Sequence, residues 1–398
     1  MIDPAGAARR RLVTDPAGAA RRRLVIGRCS AAAVFAAVAL CCCGSDVVIG
    51  SVPDTQVDAN GVADAGEEPG GELDVGRRDA DVASGDGSAP DAMGSPERDA
   101  AEPEEPLPRV SWPTGAHSGN ELQSYLDFGN WRGRPLDLAH VFVDREQGWD
   151  GVVNPTWPVD MMADFSGRLL ISVPLYPDGE GNNRDCAMGS YDSQWRRLGS
   201  FLADHNRANS ILRLGWGPND MNHAWRADPD PSNWIACFQR AVDAVRAGDP
   251  NLKIDWSFNP VGPPNVIAGD PFRTYPGDAY VDFIGIEAFD RYPPSLTRAE
   301  WDEQCRAPTG LCTVIEFVRQ HGKKLGIAEW GVDSCGASSG GDNSFFIERM
   351  VRTFAANQDI MGYEAYFEDN GSEVCSSLLE AKRNPSAAGL YKQIYGAR

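Results

Sequence analysis

Short apolar runs alternate with longer amphipathic stretches along the last 290 residues of the chain. The runs are Val110–Trp112, Leu138–Val143, Leu169–Val173, Ile211–Trp216, Leu252–Ser257, Val281–Ala288, Leu325–Trp330 and Met361–Phe367. Each is four to eight residues or slightly shorter, apolar on successive positions, and therefore reads as a strand buried on both faces. The intervening stretches have helical spacing. In Ser232–Arg246, Ile235, Phe238, Val242 and Val245 recur every three or four residues and define one helix face. Asn343–Ala356 reads the same way. Eight strands separated by helices predict an α/β fold, a (β/α)₈ TIM barrel. An open doubly wound sheet is the alternative. It normally carries a Gly-rich phosphate loop after its first strand, and none is present here.

The first 108 residues break this pattern. Residues 1–45 hold seven Arg and two Asp, and residues 46–108 hold 17 acidic and three basic residues. Asp3 to Val13 reads DPAGAARRRLV and is repeated from Asp15 to Val25, a duplication too short for a solenoid. The second Arg triplet precedes an apolar run, Ala31 to Leu40, then Cys41, Cys42, Cys43, Gly44 and Ser45. A basic stretch, about ten apolar residues and small residues after them fit a secretory signal, and the run falls short of the roughly 20 residues that span a bilayer. The spacing of Leu40 to Cys43 resembles a bacterial lipoprotein signal, which implies lipidation of Cys43. Plain export is the alternative. Residues 46–108 are almost devoid of large apolar groups and cannot offset chain entropy, so an extended acidic linker is expected. The domain division is thus 1–45, 46–108 and 109–398.

The charge of the whole chain is −20. That balance argues against nucleic-acid binding, which needs clustered positive charge. The 11 Trp and 10 Tyr favour flat, amphipathic ligands such as sugars. Five His lie scattered at 117, 140, 205, 223 and 321, with neither HExxH nor paired CxxC, so no zinc site is expected and no cofactor is called for. Gly336-Ala-Ser-Ser-Gly340 matches a nucleophile-elbow pattern but not its strand-to-helix setting, and is read as chance. Beyond the signal region six Cys remain. Six allow 15 pairings. Cys305 with Cys312 would close a small loop, and Cys335 with Cys375 would join the loops after the last two strands. Cys186 and Cys237 are left by elimination, and buried free thiols are the alternative.

In a (β/α)₈ barrel the chemistry lies at the C-terminal ends of the strands. Those positions here hold Asp144; Pro174 and Tyr176; Trp216, Gly217, Asn219 and Asp220; Asn259; Glu287 and Asp290; Glu329 and Trp330; and Glu364 and Glu368. Carboxylates and aromatics together compose a sugar cleft, where rings stack on apolar sugar faces and two carboxylates can do acid–base work.

Four stretches in order make a family resemblance specific. They are Arg213-Leu-Gly-Trp216, Tyr275-Pro-Gly-Asp-Ala-Tyr-Val-Asp-Phe-Ile-Gly285, Ala328-Glu-Trp-Gly331 and Gly340-Gly-Asp-Asn343. Over roughly residues 130–370 the chain resembles secreted bacterial members of glycoside hydrolase family 26. The resemblance implies retaining hydrolysis of β-linked polysaccharide, most often β-1,4-mannan. It also implies a nucleophile at Glu329 and an acid/base Glu after the fourth strand. At that acid/base position this chain has Gly217. Three arrangements remain open: Asp220 replaces the acid, another carboxylate such as Glu287 does so, or the barrel binds glycans without cleaving them efficiently. Trp216, Trp225, Trp330 and Tyr366 are candidate stacking walls. Asn219, by the resemblance, contacts the sugar, and Glu287 and Asp290 are candidate partners of sugar hydroxyls. The expectation is an exported, monomeric enzyme that meets polysaccharide, and meets a membrane only through a lipid anchor.

Overall fold

A computed structural model describes residues 106–396 apart from 261–269, 370, 372, 373 and 381. The duplicated stretch, the signal region with Cys43, and nearly all of the acidic linker lie outside the described residues. The strands are β1 (Thr114–His117), β2 (Leu138–Phe142), β3 (Arg168–Val173), β4 (Ile211–Leu214), β5 (Lys253–Phe258), β6 (Phe283–Ile286), β7 (Ala288–Phe289), β8 (Lys324–Gly331) and β9 (Met361–Phe367). All pair in parallel, in the order β6-β5-β4-β3-β2-β1-β9-β8, and β6 pairs with β8 to close the ring. The two-residue β7 continues the β6 stave beyond Glu287 and stays beside β8 through Ala288 and Trp330. The result is the eight-staved (β/α)₈ barrel.

Seven of the eight expected strands stand within a few residues of their predicted places. The first does not. Val110–Trp112 was the expected run, but β1 begins after Pro113, whose ring removes the donor a ladder needs. Trp112 instead packs edge-on against Phe354, on the helix Ser344–Ala356 outside the barrel. β4 stops at Leu214 rather than Trp216, because Gly215 and Gly217 take φ of +54° and +56° and turn the chain out of the ladder.

The long helix Pro231–Gly248 shows how capping and pattern agree. Asp230 accepts the Asn233 amide at 3.1 Å, and Pro231 occupies the first turn, where its missing N–H costs nothing. Its buried face runs through Trp234, Cys237, Phe238, Ala241, Val242 and Val245; Ile235, expected on it, lies at the margin. Disulfides join Cys186 to Cys237, Cys305 to Cys312 and Cys335 to Cys375. The last ties the loop after β8 to the loop after β9, beside the mouth of the barrel.

Inside the barrel the residues fall in layers. Leu138, Leu170, Ile211, Phe283 and Tyr363 form an apolar floor. One step along each strand the lining turns polar: His140, Ser172, Arg213 and Ser257, all buried. That polar layer opens directly into a cleft.

Candidate functional site

β4 reads Ile-Leu-Arg-Leu, so a charge stands in the middle of an apolar strand. A buried guanidinium is tolerable only if its donors find partners. Arg213 finds four. Its Nε donates to Ser257 Oγ at 2.8 Å and its Nη1 to Ser172 Oγ at 3.3 Å. Its Nη1 also donates to Glu329 Oε1, and its Nη2 donates to Glu287 Oε1 at 2.5 Å. Burial opposes the charge, but Glu329, Glu287 and Asp255 outweigh it and raise the guanidinium's pKa above its ordinary value. Ser172 Oγ lies 2.8 Å from His140 Nε2, so the polar layer is one connected network.

Arg213 thus fixes two carboxyl groups side by side at the mouth. Glu329 comes from the end of β8, where a β-bulge between Ile327 and Trp330 shifts the register against β9. Glu287 comes from the break between β6 and β7. Both line a cleft of about 440 Å³ and keep 10% and 13% of their side-chain surface open to it. Burial, and then the charge of Glu329, push the Glu287 carboxyl up to about 8 against the pull of Arg213. Glu287 therefore holds a proton more tightly than a free carboxyl does.

The wall on the β4 side lies three staves from β8 through β5 and β6. Asp220 and His223 line it. Asp220 is half-buried; its Oδ2 accepts Asn259 Nδ2 at 3.2 Å and its Oδ1 accepts the Asn222 amide at 2.8 Å. Trp216 borders the cleft, with Phe142, Phe289 and Phe367. Trp157 lines the rim with half of its surface (51%) exposed.

Several expected sugar contacts do not reach the cleft. Trp225 is fully buried and donates its indole N–H to the Trp216 carbonyl at 2.8 Å. Trp330 is fully buried on the outer face of β8, packed against Phe354 and Tyr366, with its N–H on Glu364 at 2.5 Å. Tyr366 is equally buried and donates to the Ser376 carbonyl at 2.8 Å. None of the three can stack on a sugar. Asn219 is buried as a loop brace: it donates to the Asn259 carbonyl at 2.8 Å and accepts the Asn259 amide at 3.1 Å. Asp290 is buried as well, accepting the Ser295 amide at 2.7 Å and Asn343 Nδ2 at 2.7 Å. Its role is to hold the loop after β7.

Arg213 stands in the sequence only as part of a motif, and Trp157 belongs to none of the motifs. The signal for Arg213 was present, since a lone charge inside an apolar strand must have a counter-charge nearby. Nothing in the sequence around Trp157 marks it as exposed.

Burial also raises the Asp255 carboxyl to about 7 and the Glu364 carboxyl to about 8. Together with Glu287, these groups bind more protons in the folded chain than in the unfolded chain. Their contribution is complete below their unfolded pKa values and is lost as pH rises through 7 and 8. The buried His117, His140 and His223 are held below the ordinary 6.5, so they add only a smaller opposing slope, which fades by about pH 7.5 as the unfolded chain's imidazoles lose their protons. The melting temperature is therefore expected to fall between pH 6.5 and pH 8.5, and Glu287→Gln should flatten part of the fall. A melting temperature constant over that interval in differential scanning calorimetry would contradict the assignment.

No protein-family profile matches the chain. Among curated proteins, endoglucanase H of Acetivibrio thermocellus is 22% identical over 294 residues, which is 72% of this chain and 30% of that protein. The chain thus spans less than a third of the length of that relative. Among solved structures, the catalytic domain of the Bacillus sp. JAMB-750 family 26 endo-β-1,4-mannanase superposes with a TM-score of 0.52 at 13% identity, covering 72% of this chain and 87% of that one. GH26C from Muricauda sp. MAR_2010_75 gives 0.53 at 12% identity, covering 73% and 87%. A modular endo-β-1,4-mannanase from Cellulomonas fimi gives 0.52 at 14% identity, covering 71% and 70%. The barrel is similar in fold to those of glycoside hydrolase family 26.

Proposed function

We propose that the protein is an exported, monomeric, retaining glycoside hydrolase that cleaves β-linked polysaccharide, with β-1,4-mannan as the favoured substrate. The observation that carries this reading is Glu329. It stands at the C-terminal end of β8, open to the cleft and anchored by a buried arginine, in a barrel of this shape. A carboxylate so placed can attack an anomeric carbon and form a glycosyl ester, which water then hydrolyses. Arg213 aims the attacking oxygen, and Glu287 beside it can hydrogen-bond a sugar hydroxyl, as donor when it carries its proton. Proton transfer to the leaving oxygen falls to the opposite wall, which holds the sequence candidate Asp220 and His223. Three disulfides fit an exported chain, and lipidation at Cys43 would keep the barrel at the envelope.

Gly217 favours a second reading, a glycan-binding barrel that has lost hydrolysis. Reducing-end release from β-1,4-mannan, galactomannan, β-1,3-xylan and mixed-linkage glucan separates the two. Release that depends on Glu329 supports the hydrolase; binding without release on all four supports the second reading.

Trp157 gives a further test of the cleft. An exposed indole on the rim is expected to stack on a sugar outside the reacting pair and to contribute about 1–1.4 kcal/mol. Trp157→Ala should raise KM for polymer about 5- to 10-fold with kcat little changed. A fall in kcat at unchanged KM would remove Trp157 from the binding surface.

A further inference from the structure

We propose that His223 carries the proton in this cleft, in the space that the missing side chain at position 217 would occupy. The inference rests on the hydrolase reading above and names the group that completes it. A Cβ built on Gly217 would lie 2.8 Å from His223 Cε1 and 3.0 Å from its Nδ1, so a glutamate there and this imidazole exclude each other. The backbone at 217, with φ at +56°, also disfavours any side chain. The loop packs the ring directly over Gly217.

The ring is held in one orientation. Its Nδ1 lies 3.0 Å from the Gly217 carbonyl, to which it must donate. One face stacks on Trp225, with centroids 4.4 Å apart and 20° between planes, and its edge meets Trp216 at 5.4 Å. Trp225 is itself pinned by its hydrogen bond to the Trp216 carbonyl. The tryptophan expected to stack on sugar is therefore the backing plate of the imidazole. With Nδ1 engaged, Nε2 is the nitrogen left to act, and among the described residues it makes no hydrogen bond. His223 borders the same cleft as Glu329 and Glu287. The groups facing it are Asp220, whose charge favours the imidazolium, and Arg145 and Arg213, whose charges oppose it; burial opposes it most.

The chemistry balances with water alone. As Glu329 forms a bond to the anomeric carbon, the glycosidic C–O bond breaks and imidazolium Nε2 gives its proton to the departing oxygen. Neutral Nε2 then takes a proton from water. The water oxygen bonds to the anomeric carbon, the ester bond breaks, and Glu329 and the imidazolium are restored. His223 must start protonated, and burial keeps its pKa below the ordinary 6.5. Hydrolysis should therefore decline as pH rises through that pKa, on the acid side of 6.5.

The experiment uses the full chain with β-1,4-mannan and with 2,4-dinitrophenyl β-mannobioside, whose leaving group needs no proton. His223→Asn keeps a donor for the Gly217 carbonyl and removes Nε2. The expected result is a loss on mannan of about 100-fold or more, while the burst of dinitrophenolate is retained. Azide should restore turnover by attacking the glycosyl–Glu329 ester and yield a β-glycosyl azide. The decline of hydrolysis with rising pH that His223 imposes should vanish. The proposal is overturned if His223→Asn and His223→Ala both keep mannan hydrolysis within about 3-fold. It is also overturned if Asp220→Asn, and not the His223 variants, shows the split and the azide rescue. Failure of the hydrolase reading looks different: mannan hydrolysis would then be absent from the unaltered protein or indifferent to Glu329→Gln.

Discussion

Glu329→Gln leaves a folded protein whose release of reducing ends from β-glycan falls by at least ~10³-fold, about 4 kcal/mol of transition-state stabilisation. An amide oxygen cannot form the glycosyl ester, yet it still accepts the hydrogen bond from Arg213 Nη1. The fold should tolerate the change because the site adjusts its own charge. Burial is the largest cause that pushes the Glu287 carboxyl up, Glu329 is the next, and Asp220 adds to them. With Glu329 neutral, Glu287 ionises at lower pH and supplies the counter-charge that Arg213 has lost. The check is a paired measurement: reducing-end assays on the mannan and glucan panel, and thermal unfolding of the same preparation. Activity within 10-fold of the unaltered protein would exclude Glu329 as nucleophile. Lost activity with a collapsed melting temperature would mean that the residue holds the barrel together instead.

The parts of this architecture that were legible in the sequence are those that depend on local pattern. Parallel strands buried on both faces must be apolar at successive positions, and seven runs declared themselves that way. β1 did not, because Thr-Gly-Ala-His carries little apolar surface and the more hydrophobic Val110–Trp112 lay just ahead of it. The site was harder to read, because neighbours in sequence need not share a face. Tyr366 and Phe367 are adjacent on β9; Phe367 lines the cleft and Tyr366 is buried against Trp330 and Tyr391 outside the ring. Alternation along a strand decides which of two adjacent aromatics meets the ligand. The two innermost inward positions of β9, Tyr363 and Ala365, settle the parity. Trp330 fails the same way beside Glu329. Trp225 failed for another reason. Its indole is turned away from the cleft to back the His223 ring, which stands where a side chain at position 217 would project.

Arg213→Met should be the most damaging single substitution in the barrel, and its cost should depend on pH. Methionine matches the aliphatic stem but offers no donor, so Glu287, Glu329 and Asp255 would stay in a buried layer without their common cation. Breaking a buried ion pair by removing one partner costs roughly 3–5 kcal/mol, a large share of the stability of a domain. The carboxyl groups can escape only by taking up protons. Their folded pKa values, already about 8 for Glu287 and about 7 for Asp255, would rise further without Arg213, which lowers both. The unaltered fold ionises Asp255 and Glu287 against Arg213 as pH passes 7 and 8, which the variant cannot do, so the penalty grows above about pH 7 and is least where both carboxyls are neutral in both proteins. Urea unfolding at about pH 6 and about pH 9 should therefore show a larger deficit at the higher pH. Arg213→Lys should recover part of it, since one ammonium can meet a carboxylate but cannot bridge both glutamates and both serines in a plane. An equal deficit at the two pH values would mean that Arg213 acts through packing alone. The site would then owe its paired carboxyls to the backbone that carries them rather than to the guanidinium between them.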